Sequence, residues 1–324
     1  ISVDSAQIYR GMDIGTAKPD SLTLQRYPHA LINLIDPAEQ YSVARFRGDA
    51  LVAIEDALSE GRTPLLVGGT MMYFKALLYG IDDIPPADAD VRARIEQQAQ
   101  AEGWGAVHRR LASCDPEAAA RIAPGDAQRL QRALEVYLVS GRSLTEWQSG
   151  TGSIPAHKRA DQVFAADLPC PVVPLAIAPR DRDVLHRRIA ARFQEMLAAG
   201  LVEEVDHLRR SGNLHAALPS MRCVGYRQVW DYLESGGSCV ERECWLDTGA
   251  RVGRGGYGQL VVRGIVATRQ LAKRQLTWLR SWQGLHWILT GPSGGEVLAP
   301  EAVAGLSAAQ AARQYLRNSL QNCV

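Results

Sequence analysis

Short apolar runs alternate with helix-period segments through the first 85 residues, and this pattern most constrains what the chain can fold into. Ile1–Val3 and Leu31–Ile35 read as strands, closed by Asp4 and by Asp36-Pro37. Residues 43–60 read as a helix with Phe46, Ala50, Leu51 and Ile54 on one side, the spacing of a helix laid on a core. Pro64–Val67 reads as a buried strand, ended by Gly68-Gly69-Thr70 and followed by a helix over 71–79. Strands alternating with helices predict a parallel sheet. Such sheets carry their sites at the carboxyl ends of the strands. Asp4 and Gly68–Thr70 both stand at such ends.

The rest of the chain divides at Ile84-Pro85-Pro86. Helical periods over 88–102, 105–113, 116–121 and 126–139 read as a helical insertion, 86–147, which splits the α/β core. The stretch 148–171 is rich in turn formers and reads as a linker. Val172–Ile177 reads as a strand returning the chain to the core, although Pro174 interrupts it. A helix follows with Leu185, Ile189, Phe193, Met196 and Leu197 on one face, stopped by Gly200. The expected layout is therefore 1–85 for the first part of the core and 172–290 for the remainder, with 291–324 as a C-terminal tail.

Charge is distributed unevenly. Thr248–Gly295 contains no Asp or Glu but seven cations (Arg251, Arg254, Arg263, Arg269, Lys273, Arg274 and Arg280). Those seven, in a chain of net charge +1, leave the remainder at −6. With Tyr257, Trp278 and Trp282 interleaved, the block suits a polyanion or, equally, a solvated basic face. On a helix from 263 to 282, Ile265, Ala272, Leu276 and Leu279 form a stripe with Arg269, Lys273 and Arg280 beside it. Several function classes drop out. No run of 18 apolar residues predicts a membrane span. The six cysteines (114, 170, 223, 239, 244 and 323) form no CxxC pair, which argues against a disulfide scaffold or zinc site and for a reducing cytoplasm. The histidines lack HExxH spacing. Gly291–Gly295 matches GxSxG, but no His follows Ser293, so it reads as a turn. The chain opens at Ile1 without a Met or a leader, which reads as a missing N-terminus.

Five segments hold residues suited to chemistry. Asp4, at a strand end, is either a general base or a cap on the following turn. Gly15-Thr16-Ala17-Lys18 offers a hydroxyl and a cation to a phosphate, or is a surface turn. Gly68-Gly69-Thr70 precedes a helix and either admits an anion or makes a tight turn. Arg222 and Arg227 flank Gly225 and are either phosphate-gripping guanidiniums or exposed arginines. Arg129 and Arg132 share a helix face, where surface ion pairing is the simpler reading.

Taken together, six ordered blocks resemble the bacterial tRNA dimethylallyltransferases. They are ISVDSAQIYRGMDIGTAKP (1–19), PLLVGGTMMYFKALLYG (64–80), DAQRLQRALEVY (126–137), LHRRIAARFQEMLAAGLVEEV (185–205), LPSMRCVGYRQVWDYL (218–233) and ATRQLAKRQLTWLRSW (267–282). The resemblance implies a P-loop-like parallel α/β core with a helical insertion domain. It also implies transfer of a dimethylallyl group from dimethylallyl diphosphate to N6 of the adenosine at position 37 of tRNA. The implied cofactor is Mg2+, the implied setting the cytoplasm, and the implied oligomeric state a monomer; nucleotide (ATP) binding is a further expectation.

By the same resemblance, Asp4 is the carboxylate at the adenine amine, Thr70 lies near the reacting groups, and Arg222 holds phosphate charge, so these are the expected catalytic residues. Contacts to tRNA are expected from Asp4, Ser5, Ala6, Gln7, Thr70 and Arg92. The stretch Gln128, Arg129, Leu130, Gln131 and Arg132 is expected to add to these. Further contacts are expected from Arg222, Cys223, Val224, Gly225, Tyr226 and Arg227, and from Lys273, Arg274, Gln275, Leu276, Thr277, Trp278, Leu279 and Arg280. The chain departs from the family in two places. A Gly-rich loop of the type GPTxxGKT is absent; it would precede Ile1, which would make Ile1–Val3 the family's second strand. The stretch between Leu233 and Arg263 is also longer than the family's short acidic connection. Two other readings compete: a P-loop kinase of the same architecture, and a tRNA-binding protein without activity.

Overall fold

The computed structural model describes residues 1–81, 84–150, 167–238, 256–282, 284–291, 297–299 and 310. The chain forms two compact units, one built from Ile1–Leu78 with Phe164–Val324 and the other from Tyr79–Val163.

The first unit is mixed α/β. Strand β1 (Ser2–Val3) pairs in parallel with β2 (Val67–Gly68), in the register Ser2↔Val67 and Val3↔Gly68. A second sheet holds β3 (Leu175–Pro179) parallel to β4 (His286–Thr290), with β5 (Val297–Ala299) antiparallel at its edge. Helices α1 (Ser21–Arg26), α2 (Val43–Ser59) and α3 (Met71–Tyr79) belong to the first half. The Ser42 hydroxyl caps α2 by accepting the Arg45 N–H at 3.0 Å. That helix buries Phe46, Ala50 and Ile54 against Val3, Tyr73 and Leu77, and the Phe46 and Tyr73 rings stack at 4.1 Å. Helix α2 therefore matches the apolar spacing that predicts it, and α3 forms over the residues expected.

Three strand expectations change. Leu31–Ile35 is not a strand: Leu31 and Asn33 adopt φ of +64° and +58°, outside the extended region, and only Ile35 makes a parallel bridge, to Tyr9. The 64–67 run is not buried, because β2 has no partner on its far side among the described residues, leaving Leu65 and Val67 each 61% exposed. The later strand starts at Leu175, after Pro174, and not at Val172.

The second half contributes α9 (Arg182–Ala198), α10 (Leu201–Arg210), α11 (Tyr226–Glu234) and α12 (Gly256–Arg280). Their inner faces join Ile8, Tyr9, Met12 and Ile35 in one core, with Phe193, Leu201, Val205, Tyr226, Val229 and Leu260 at its centre. A Cβ at Gly264 would overlap the Phe193 ring, so glycine lets α12 press against α9. The long helix begins at Gly256, seven residues before the expected start, because Tyr257, Leu260 and Val261 extend its buried stripe.

The second unit is helical: α4 (Ala89–Glu102), α5 (Trp104–Cys114), α6 (Pro116–Arg121), α7 (Ala127–Ser140) and α8 (Leu144–Gly150). Asp88, Asp115 and Asp126 cap α4, α6 and α7 by accepting backbone N–H groups. Ile95, Val107, Leu111, Leu130 and Leu134 make its core. The last helix, α8, runs to Gly150, into the stretch expected to be linker. Residues 151–166 of that stretch, the 239–255 stretch and the GxSxG serine lie outside the described residues.

Candidate active site

Asp4 is the first residue past β1, half-buried at the strand's carboxyl end. Its Oδ1 accepts the N–H of Ala6 at 2.8 Å and of Gln7 at 3.3 Å, the Asx turn that such a residue favours. Its Oδ2 accepts no hydrogen bond from any described residue. One oxygen thus caps the turn while the other stays open to a substrate proton, so the two sequence readings are compatible. Gln7 locks the same turn, because its Oε1 accepts from Ser2 Oγ at 3.0 Å and its Nε2 donates to Thr16 O at 3.4 Å.

The end of β2 lies alongside. A Cβ at Gly68 would overlap the Val3 carbonyl, so glycine is required for this close approach of the two strands. The chain then turns at Thr70, whose N–H donates to Val3 O at 3.2 Å. Its hydroxyl accepts the Ser5 N–H at 3.0 Å and donates to Ser5 Oγ at 3.2 Å. Asp4, Ser5 and Thr70, expected together, do meet at one sheet edge.

The Arg222–Arg227 segment is fixed from beneath. Ser220 and Met221 are buried, and Ser220 Oγ donates to Pro37 O at 2.6 Å. Gly225 turns the backbone at φ +94°, and its N–H donates to Gln228 Oε1 at 2.8 Å. Tyr226 is wholly buried at the start of α11, whereas Arg222 and Arg227 are exposed. Arg222 has no ion-pair partner among the described residues, and Arg227 only grazes Asp231 at 4.0 Å. Between them, burial first and then the charge of Asp4 push the Cys223 thiol up to about 12. Burial first, and then the charges of Tyr9, Asp4 and Cys223, raise the Tyr73 phenol in the same neighbourhood.

Along α12, Ile265, Ala272, Leu276 and Leu279 are half-buried, while Arg263, Arg269, Lys273, Arg274, Thr277 and Arg280 are exposed. None of these cations pairs with a carboxylate among the described residues. Trp278 is 41% exposed, with Lys75 Nζ 6.0 Å from its ring centroid. Gln275 leaves this face and donates through Nε2 to Gly69 O at 2.9 Å. The cationic helix is thereby bonded to the turn that presents Thr70.

Arg92 and the Gln128–Arg132 stretch lie in the helical unit. Glu135 there is buried. Its Oε1 accepts from Arg92 Nε at 2.8 Å and from the Asp88 N–H at 2.8 Å, and its Oε2 accepts from Arg132 Nη1 at 2.8 Å. Burial pushes this carboxyl up, but the hydrogen bonds from Arg92, Arg132 and Asp88 outweigh it and hold it below the ordinary glutamate value. Arg132 also donates to Pro85 O at 2.7 Å, and Gln131 donates to Glu96 at 2.8 Å. Arg129 is exposed, 3.4 Å from Asp126, and Leu130 is buried core.

These arrangements locate a carboxylate, a hydroxyl pair and unpaired cations on a mixed α/β unit. A model of the IPP transferase family matches residues 7–282. The chain belongs to this family. A solved structure similar to it is the full-length tRNA isopentenylpyrophosphate transferase of Bacillus halodurans, at 32% identity and a TM-score of 0.54, over 90% of this chain and 80% of that one. The tRNA Δ(2)-isopentenylpyrophosphate transferase of Staphylococcus epidermidis is similar at 28% identity and a TM-score of 0.50, over 90% and 84%. A eukaryotic dimethylallyltransferase acting on tRNA shares the fold, with 22% identity, a TM-score of 0.70 and coverage of 99% and 72%. As an IPP transferase, the chain is an enzyme of prenyl transfer, and no helix among the described residues is long and apolar enough to cross a membrane.

Two parts of the site escape a reading of residue types. Lys18 is a strut: its Nζ donates to Tyr9 O at 2.8 Å, Asp13 Oδ1 at 2.6 Å and Asn33 Oδ1 at 2.7 Å, with the side chain 2% exposed. All three ammonium protons are engaged, so it offers nothing to a phosphate. Glu204, unremarked in the sequence, accepts the N–H groups of Asp13, Ile14 and Gly15. Its one signal is a carboxylate in the first turn of a helix that follows a glycine.

Proposed function

We propose that this IPP transferase moves a dimethylallyl group from dimethylallyl diphosphate to N6 of adenosine 37 in the anticodon stem-loop of tRNA, giving N6-isopentenyladenosine. The observation that carries the reading is the bond from Gln275 to Gly69 O, which ties the acid-free cationic helix to the turn shared by Asp4, Ser5 and Thr70. A phosphate-gripping surface and an open carboxylate then serve one nucleotide. The protein acts as a monomer in the cytoplasm, on a P-loop-like core with residues 86–147 as its helical insertion.

The exocyclic amine is a weak nucleophile, and the allylic C–O bond breaks toward a cation. The N6 lone pair forms the new C–N bond, while the C–O bond pair leaves on the diphosphate. Asp4 Oδ2 accepts the N6 proton, with Oδ1 held in its turn. The Thr70 hydroxyl fixes Ser5 beside it. Arg222 and Arg227 take up the charge of the departing diphosphate, where fixed cations do most for the rate. The base must leave its stack to reach Asp4, which suits a loop nucleotide. Arg269, Lys273, Arg274 and Arg280 grip the backbone, and Trp278 offers a stacking face. From the helical unit the exposed Gln128 and Arg129 supply further contacts, whereas Leu130 lies in the core and Arg92 and Arg132 are engaged by Glu135.

Magnesium fits this site only as part of the substrate. Among the described residues no three His, Cys, Asp or Glu side chains converge on a metal position. Magnesium ordinarily keeps its waters and binds through substrate phosphates with one or two carboxylates. When bound to the diphosphate it neutralises leaving-group charge, and no residue here is assigned to hold it.

The test is a transfer assay on the natural full-length gene product, with magnesium, dimethylallyl diphosphate and a tRNA that reads codons beginning with U. The prenyl mass on the adenosine next to the anticodon is the expected result. Bound tRNA without product would leave an RNA-binding protein, and ATP consumption without any tRNA requirement would point to a kinase.

A further inference from the structure

Glu204 joins two segments of the proposed site that are far apart in sequence. It lies in the first turn of α10, whose N-terminus follows Gly200 at φ +103° and favours a carboxylate. Its Oε2 accepts the N–H groups of Asp13 at 3.0 Å and Ile14 at 2.8 Å. Its Oε1 accepts the Gly15 N–H at 3.3 Å and the Tyr226 hydroxyl at 2.5 Å. Consecutive backbone N–H groups make an anion-binding nest, filled here by the protein's own side chain.

From the nest the bonding runs both ways. On one side Thr16 O accepts from Gln7 Nε2, and the Gln7 N–H donates to Asp4 Oδ1. On the other, Tyr226 begins α11 directly after Gly225 and sits inside the segment bearing Arg222 and Arg227. The two sides touch without slack, since a Cβ at Gly15 would lie 2.5 Å from Tyr226 Cε2 and 2.8 Å from Leu201 Cδ1.

We propose that Glu204 is a positioning residue for prenyl transfer, fixing the turn that carries Asp4 against the segment that carries Arg222 and Arg227. This rests on the reading of Asp4 as the base and of the arginines as the diphosphate grip. Glu204 reaches neither substrate; it sets how far the proton acceptor stands from the leaving-group charge, and small displacements at such a distance are costly in rate.

Two variants probe the contact. Glu204→Gln keeps the size but turns an NH2 toward backbone donors, and Tyr226→Phe removes one hydroxyl from a ring that stays buried. Each should lower kcat about tenfold with KM for tRNA within about twofold, and the double variant should be no slower than Glu204→Gln alone, as for two groups acting through one contact. Hydrogen exchange gives a readout independent of turnover. The Ala6 and Gln7 amides, remote from Glu204 but linked to it through Thr16, should exchange about tenfold faster in Glu204→Gln. Unchanged kcat with a lowered Tm, additive losses in the double variant, or unaltered exchange at Ala6 and Gln7 would each overturn the proposal. A natural protein that transfers no prenyl group defeats the functional reading instead, and the exchange measurement still decides the link.

Discussion

Each unit holds a charge cluster, and the two clusters are built in opposite ways. In the helical unit, Glu135 is buried and closed: Arg92, Arg132 and the Asp88 N–H saturate it. In the α/β unit, Asp4 is half-closed, with Oδ1 in a turn and Oδ2 open, while Arg222 and the α12 cations have no carboxylate partner among the described residues. A closed cluster contributes to a fold because a buried charge is tolerated only when paired. An open one exposes charge that the fold does not use, and that surplus is what a polyanionic substrate can bind. Counting arginines cannot separate the two cases, since Arg132 and Arg274 are equally basic in sequence. The partners decide.

The largest effect expected from breaking this contrast is at Asp4. Asp4→Asn retains an oxygen for the Ala6 and Gln7 N–H groups but removes the proton acceptor. Transfer should fall by about 10²–10⁴-fold, the usual range for a general base, while tRNA affinity and Tm stay near the wild type. A drop in Tm without loss of transfer would make Asp4 a cap alone.

Next in size is Glu135, where the effect should appear in stability. Glu135→Ala leaves two guanidiniums unpaired. They are about one-third exposed, so the loss should fall below the 3–5 kcal/mol of a fully buried pair, at about 2 kcal/mol. Acid unfolding gives the sign. The folded carboxyl lies below its ordinary value of 4.5, so its contribution is complete above that pH and is lost as pH falls through the lower folded value. Urea midpoints measured from pH 6 down to 3 should decline in the wild type more than in Glu135→Gln. Parallel curves would show that the cluster adds nothing.

Legibility from sequence follows the same division. The helical unit is nearly readable, because its contacts are local: helical periods place α4 to α7 within a residue or two, and only α8 goes unread. In the α/β unit, the helices over 43–59 and 71–79 are readable for the same reason. The strands are readable only in part: Ile1–Val3 and the parallel pairing hold, but pairing is set by distant chain, and the positive φ of Leu31 and Asn33 and the edge of β2 left open among the described residues leave no periodic trace. The site divides likewise. Asp4 and Thr70 stand at strand ends, where a parallel sheet gathers function, but their meeting depends on the Gly68–Val3 approach across 65 residues. Lys18 resembles a phosphate ligand in sequence because residue type records a cation and not its three acceptors. Glu204 shows in sequence only as a carboxylate in a first helical turn, because its role exists only once the loop at Asp13–Gly15 meets α10.

The smallest effect sharpens the contrast most. Every cation withdrawn from a phosphate lowers the slope of log K against log salt by about 1. Lys273→Ala and Arg274→Ala remove open cations from the exposed face of α12, so each should flatten that slope by about this amount and weaken binding at low salt only a few-fold. Arg132→Ala removes a cation engaged by Glu135 and the Pro85 carbonyl. If engagement governs availability, its slope should stay within error of the wild type while its Tm falls; Lys273→Ala should do the reverse. Filter binding of tRNA over a salt series, paired with thermal melts, separates the two patterns. Equal slope changes in all three variants would mean that the Glu135 cluster opens when tRNA binds, and the division between closed and open charge would then hold for the free protein alone.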